Sequence, residues 1–87
     1  TSKAGLIYLT KWLASNLSPK IRVNSISLGG IKRKQNKVFI KKYSDKTLLN
    51  RMGTEEDIIG TIIFLSTNMS NYITGQNIII DGGRSII

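Results

Sequence analysis

Two short β-branched stretches with a capped helix between them constrain this chain more than any other feature. In the first, Ile21, Val23 and Ile26 suggest a strand over 21–27, which Gly29-Gly30 stops. The second, Asn77-Ile78-Ile79-Ile80, reads as a buried strand closed by Asp81-Gly82-Gly83. Between them, Thr54-Glu55-Glu56-Asp57 signals a helix start. Thr54 can accept from the third amide, Asp57 can reach back to the cap, and three acids suit the positive end of the helix dipole. Ile58, Ile62 and Leu65, with Ile59 and Ile63 beside them, continue it as a wide apolar stripe. Strand, helix and strand in this order imply two parallel strands joined by a right-handed crossover.

Residues 1–18 predict a further helix. Leu6, Leu9, Leu13 and Leu17 stack on one face, and Ile7, Tyr8, Trp12 and Ala14 make a second side apolar. Pro19 ends it, because the residue before a proline avoids the helical conformation. A helix apolar on two sides is buried or packs against something the chain does not supply. The stretch 31–53 is polar and basic, with Val38-Phe39-Ile40 and Leu48-Leu49 as its apolar residues. It is expected to be a long loop, functional or mobile rather than a plain linker. The order is therefore helix, strand, basic loop, helix, strand. Two helices cannot cover both faces of a parallel sheet, yet such sheets are normally covered on both. At 87 residues the chain is expected to be one end of a larger α/β domain.

Composition narrows the chemistry. The chain is 40% hydrophobic and 21% charged with a single proline, as in a folded protein. With neither His nor Cys, it has no disulfide framework, no Ser-His-Asp triad, no Cys-His dyad and none of the common zinc sites. The metal expectation is none, and chemistry must rest on Lys, Tyr, Ser or a borrowed cofactor. No apolar run exceeds four residues and no basic-then-apolar leader opens the chain, so a reducing, cytoplasmic setting is expected. The net charge of +8 is concentrated: nine basic residues stand between Lys20 and Lys46 against Asp45 alone, while the remainder is neutral. Such a segment can be a solvated loop, or it can meet a phosphorylated or other anionic partner.

Four blocks carry a family resemblance. They are Thr1-Ser2-Lys3-Ala4-Gly5-Leu6; Ile21-Arg22-Val23-Asn24-Ser25-Ile26-Ser27-Leu28-Gly29-Gly30-Ile31; Arg51-Met52-Gly53-Thr54-Glu55-Glu56-Asp57; and Tyr72-Ile73-Thr74-Gly75-Gln76-Asn77-Ile78-Ile79-Ile80-Asp81-Gly82-Gly83. In this order and spacing, the chain resembles the C-terminal third of a classical short-chain dehydrogenase/reductase. The resemblance implies an incomplete piece of a doubly wound, Rossmann-type parallel sheet. Residues 1–87 would be the C-terminal portion of one NAD(P)-binding domain, and 29–53 its variable substrate lid. Lys3 matches the lysine of the family's Tyr-x-x-x-Lys motif, so the tyrosine falls two residues ahead of Thr1. The Gly-rich dinucleotide loop and the catalytic Ser and Asn also lie upstream in the family. Neither Gly29-Gly30 nor Gly82-Gly83 has the spacing of that loop.

The implied reaction is hydride transfer between NAD or NADP and a carbonyl/alcohol pair. The ribose-reading residue that separates the two cofactors belongs to the upstream half. A cationic Lys3 would favour the phenolate of the tyrosine and bind the nicotinamide ribose. Gly29, Gly30 and Ile31 match the turn whose backbone contacts the nicotinamide carboxamide, and glycine permits such close approach. Asn24 and Asp81 match family positions with structural roles. Leu28 and Glu55 replace two prolines usual in the family, and Arg33 replaces a frequent threonine. The basic segment 31–46 falls on the lid, and the resemblance is closest to bacterial members acting on sugars for surface glycans or flagellin glycosylation. The partners implied are a small carbonyl/alcohol substrate and further copies forming a dimer or tetramer, with no nucleic acid and no membrane. Alone, the 87 residues are expected to be inactive. The alternative is a small basic nucleic-acid-binding or oligomerisation module, for which only Phe39 and Tyr43 offer stacking rings inside the basic segment.

Overall fold

A computed structural model describes residues 2–87. Its elements run α1 (Lys3–Leu17), β1 (Ser25–Leu28), α2 (Lys37–Ser44), α3 (Glu55–Ser66), a 3-10 turn (Asn68–Ser70), β2 (Asn77–Ile80) and a closing 3-10 turn (Arg84–Ile86). β1 and β2 pair in parallel, with Ser25 opposite Asn77 and Leu28 opposite Ile80. The ladder continues one bond further, from the Gly29 amide to the Ile80 carbonyl at 2.8 Å.

The strand predicted over 21–27 forms later, at 25–28. Residues 21–24 lie ahead of the ladder because their polar groups are taken by the segment before β2. The Val23 amide donates to Thr74 Oγ1 at 3.1 Å, and its carbonyl accepts from Gly75 at 2.7 Å. The Asn24 side chain donates to the Ile73 carbonyl and accepts from the Gln76 amide, both at 3.0 Å. Asn24 is thus a tie between the approaches to the two strands.

A second correction concerns the basic stretch, which contains an eight-residue helix, α2, where a loop was expected. Asn36 caps it by accepting from the Phe39 amide at 2.8 Å. The start of α3 matches the expected capping box: the Asp57 carboxylate accepts from the Thr54 amide at 2.7 Å and from the Thr54 hydroxyl at 3.0 Å.

The inward face of α1 is not the leucine stripe. Thr10 and Ala14 are its buried residues, and Ala14 packs at Gly75, whereas Leu9 and Leu17 are exposed. Small side chains there let the helix approach the turn before β2 closely, which leaves the larger ones pointing outward. Tyr8 and Trp12 are 71% and 52% exposed, and Ile59, Ile62, Ile63 and Phe64 crowd the outer side of α3. Only Ala14 and Met52 are buried apolar residues among those described. The radius of gyration is 15.1 Å, against about 12 Å for a compact domain of this length. A parallel pair with this much uncovered apolar surface is an incomplete α/β fold.

Arg22 supplies the strongest tertiary tie. Its guanidinium donates to the carbonyls of Ser70 (2.8 Å), Ile73 (3.0 Å) and Leu65 (2.9 Å), with a longer contact to Thr67 (3.5 Å). These include carbonyls at the C-terminal end of α3, which no intrahelical donor serves and where positive charge is favoured. A charge counted in the basic segment is therefore internal. Replacing Arg22 with Leu in the full-length protein is expected to cost about 2–3 kcal/mol. The check is a lower urea midpoint with an unchanged slope.

Candidate functional site

The site lies at the C-terminal end of the parallel pair. β1 runs out into Gly29-Gly30 and β2 into Asp81-Gly82-Gly83, so both turns emerge side by side. A cavity of about 350 Å³ opens there, with Lys3, Leu28, Gly29, Tyr43, Asp81 and Arg84 among its lining. Lys3 reaches it because α1 begins with that residue, directly after Ser2, whose hydroxyl accepts from the Gly5 amide at 3.0 Å. The structure thus brings Lys3 and Gly29 together on one cavity.

Gly30 and Ile31 lie one step further along the turn. Ile31 forms an isolated parallel bridge with Gly53, made by the Gly53 amide to the Gly30 carbonyl (2.9 Å) and the Lys32 amide to the Gly53 carbonyl (2.8 Å). In this pattern the backbone groups of Ile31 itself point away from Gly53. Its carbonyl accepts from Gln35 Nε2 at 3.2 Å, and among the described residues its amide has no partner. An amide left open beside such a bridge can donate to a ligand.

The two glycines serve the protein's own packing as well. A methyl at Gly29 would fall 2.7 Å from Asp81 Cβ, and one at Gly30 would fall 2.6 Å from Tyr43 Cε1. The Gly30 amide donates to the Tyr43 hydroxyl, which fastens α2 to the turn. Tyr43 lines the cavity, and sequence reasoning named it only as a ring of the basic segment, passing over this position. Its signal was the Phe39/Tyr43 spacing, which puts two rings on one helical face; they stack with centroids 6.2 Å apart. Arg84 was passed over too, and its guanidinium lies 5.2 Å from the centre of the Tyr43 ring.

Asp81 acts as scaffold within the cavity wall. Its carboxylate accepts from the Gly83 amide at 2.9 Å and the Ser85 amide at 3.1 Å. The Ser85 side chain, these amides and the charge of Lys3 hold its carboxyl below the usual range, against an opposing effect of burial. Behind it lies a smaller cavity of about 140 Å³, bordered by Gly30, Arg51, Gly53, Asp57, Asp81 and Gly82. Arg51 grips Asp57 there with two bonds, 2.8 and 3.0 Å, and also donates to the Met52 carbonyl at 3.0 Å.

The Arg51 bonds, followed by those from Thr54, hold the Asp57 carboxyl well below the ordinary carboxylate range, and the same pairing raises Arg51. A depressed carboxyl contributes stability that is fully present above the unfolded aspartate value of about 3.9 and is lost as pH falls toward the folded one. Full-length protein should therefore hold a higher urea midpoint than an Asp57→Asn variant at pH 7. That difference should shrink as pH drops below about 4, as urea titrations between pH 7 and pH 3 would register.

Comparison with known proteins follows the same outline. Residues 1–85 match the family model described as enoyl-(acyl carrier protein) reductase. The chain is 40% identical over 82 residues to post-translational flagellin modification protein A of Campylobacter coli, covering 93% of this chain and 32% of that protein. It is 45% identical over 87 residues to 3-oxoacyl-(acyl-carrier-protein) reductase FabG of Buchnera aphidicola, covering 94% and 36%. A short chain dehydrogenase from Leptospira borgpetersenii, solved with bound NAD+, superposes with a TM-score of 0.87 at 50% identity, covering 95% of this chain and 33% of that one. The chain spans about a third of the length of the relatives it matches.

Proposed function

The chain belongs to the short-chain dehydrogenase/reductase family, and on that premise we propose that it forms the substrate-side third of a cytoplasmic NAD(P)-dependent oxidoreductase. The observation that carries this reading is the convergence of Lys3 with the Gly29-Gly30-Ile31 turn at the end of the parallel pair. The residues fit the cofactor: Lys3 would bind the nicotinamide ribose, and the open amide of Ile31 would hold the carboxamide. When bound, NAD or NADP accepts or supplies a hydride. The ammonium group of Lys3 favours the phenolate form of the family's tyrosine, which moves the proton at the substrate oxygen. Leu28 and Gly29 form the wall that turns the backbone toward that point.

Residues 29–53 act as the lid over the substrate, with α2 as its stiff part. The substrate we propose is a sugar or nucleotide-sugar carbonyl/alcohol used in surface glycan synthesis. The lid's lysines and the similarity to a flagellin modification protein support this choice. The uncovered apolar sides of α1 and α3 are closed by the rest of the polypeptide and by further copies, as a dimer or tetramer. Without those parts, the 87 residues alone do not turn over substrate.

In the full-length protein, Lys3→Met is expected to lower kcat by about 10²- to 10⁴-fold, the usual range for a proton-transfer partner, and to weaken cofactor binding. The pH–rate profile should shift upward as the phenolate loses its neighbouring charge. Steady-state rates of nicotinamide absorbance change across pH 6–10 check this. An unchanged kcat and profile would overturn the assignment of Lys3.

A further inference from the structure

The guanidinium of Arg84 makes no ion pair or hydrogen bond among the described residues; the ion pairs there are Arg33–Glu55, Lys41–Asp45 and Arg51–Asp57. Yet it lines the same cavity as Lys3. The carboxylate in that wall, Asp81, has its oxygens committed to the Gly83 and Ser85 amides. Two cations therefore face one internally engaged anion, which leaves the cavity positive.

Arg84 is also held in place. It lies over the Tyr43 ring, and Tyr43 is fastened to the Gly30 amide beside the cofactor turn. Its N–H donors have no partner among the described residues and are open to another group. A planar fork with open donors is the geometry that receives a carboxylate or phosphate through two parallel bonds.

We infer that Arg84 is a specificity-determining residue that receives an oxyanion, carboxylate or phosphate, carried by the substrate of this site. The proposal rests on the oxidoreductase reading above and adds the chemical class of group the substrate must bear. Lys3 serves the reacting end; Arg84 holds the anionic end across the same cavity. Tyr43 is a positioning residue that sets where the guanidinium lies.

The test uses matched probes and full-length protein loaded with NADH or NADPH. Calorimetric titrations compare acetoacetate with ethyl acetoacetate, and dihydroxyacetone phosphate with dihydroxyacetone. Wild-type protein should bind at least one anionic probe about tenfold or more tighter than its neutral partner, the scale of one charge-assisted bidentate contact. Whichever pair shows the preference distinguishes carboxylate from phosphate. Arg84→Met should abolish the preference, and Arg84→Lys should keep part of it, with cofactor affinity unchanged when read by nicotinamide fluorescence. A wild-type protein that binds cofactor but shows no anion preference, or an Arg84→Met variant that keeps the preference, overturns the proposal alone. Failure of the wild-type protein to bind either cofactor overturns the oxidoreductase reading, and this proposal with it.

Discussion

Leu28 pairs with Ile80 in parallel, and this pairing decides where the two glycine turns emerge. Because the two strands run in the same direction and end in register, the turns that follow them emerge at one edge. Gly29 then lies against Asp81, and the first turn of α1 brings Lys3 to the same cavity. An antiparallel pair would have sent the two turns to opposite ends, and neither glycine turn would have met the other. Open parallel sheets bind ligands at this edge for the same reason.

The register is held from the other end of the strands. Arg22 and Asn24 bond the segment before β1 to carbonyls of the segment before β2 and of the C-terminal end of α3. Those groups would otherwise be unserved once the fold is covered. The Ser25 and Ser27 hydroxyls both donate to Asn77 Oδ1, at 2.9 and 3.0 Å, which adds a polar tie on one face of the pair. Apolar packing contributes little among the described residues, because most large apolar side chains face outward. Polar stitching fixes the geometry here, and the apolar surface is left for neighbours.

What was legible in the sequence had local causes. The Thr54 cap, the Asn77–Ile80 strand and the Gly29-Gly30 stop each follow from the chemistry of adjacent residues and stand where expected, although the strand is not buried and Ile79 faces outward. The misreadings concern groups whose partners are remote. β1 starts late because Val23 and Asn24 are bonded to residues about fifty positions away. α2 was taken for a loop because its run of lysines hides the Asn36 cap, and Tyr43 finds its partner in Gly30, outside the helix. The inward face of α1 follows Thr10 and Ala14 rather than the leucines, with Ala14 packed at Gly75. Lys3 and the turn were found through family resemblance. Arg84 follows no local pattern and became visible only through the fold, whereas the spacing from Phe39 marked Tyr43 as a ring on a helical face but not as the partner of Gly30.

In the proposed site the Ile31 amide and the start of α1 together receive a nicotinamide cofactor. Amide hydrogen exchange of the full-length protein, with and without saturating NADH or NADPH, tests it most directly. Exchange should slow at Ile31 and in the first turn of α1 and stay unchanged along the outer face of α3. Cofactor binding that protects only segments outside residues 1–87, leaving Ile31 exchanging at its free rate, would contradict it.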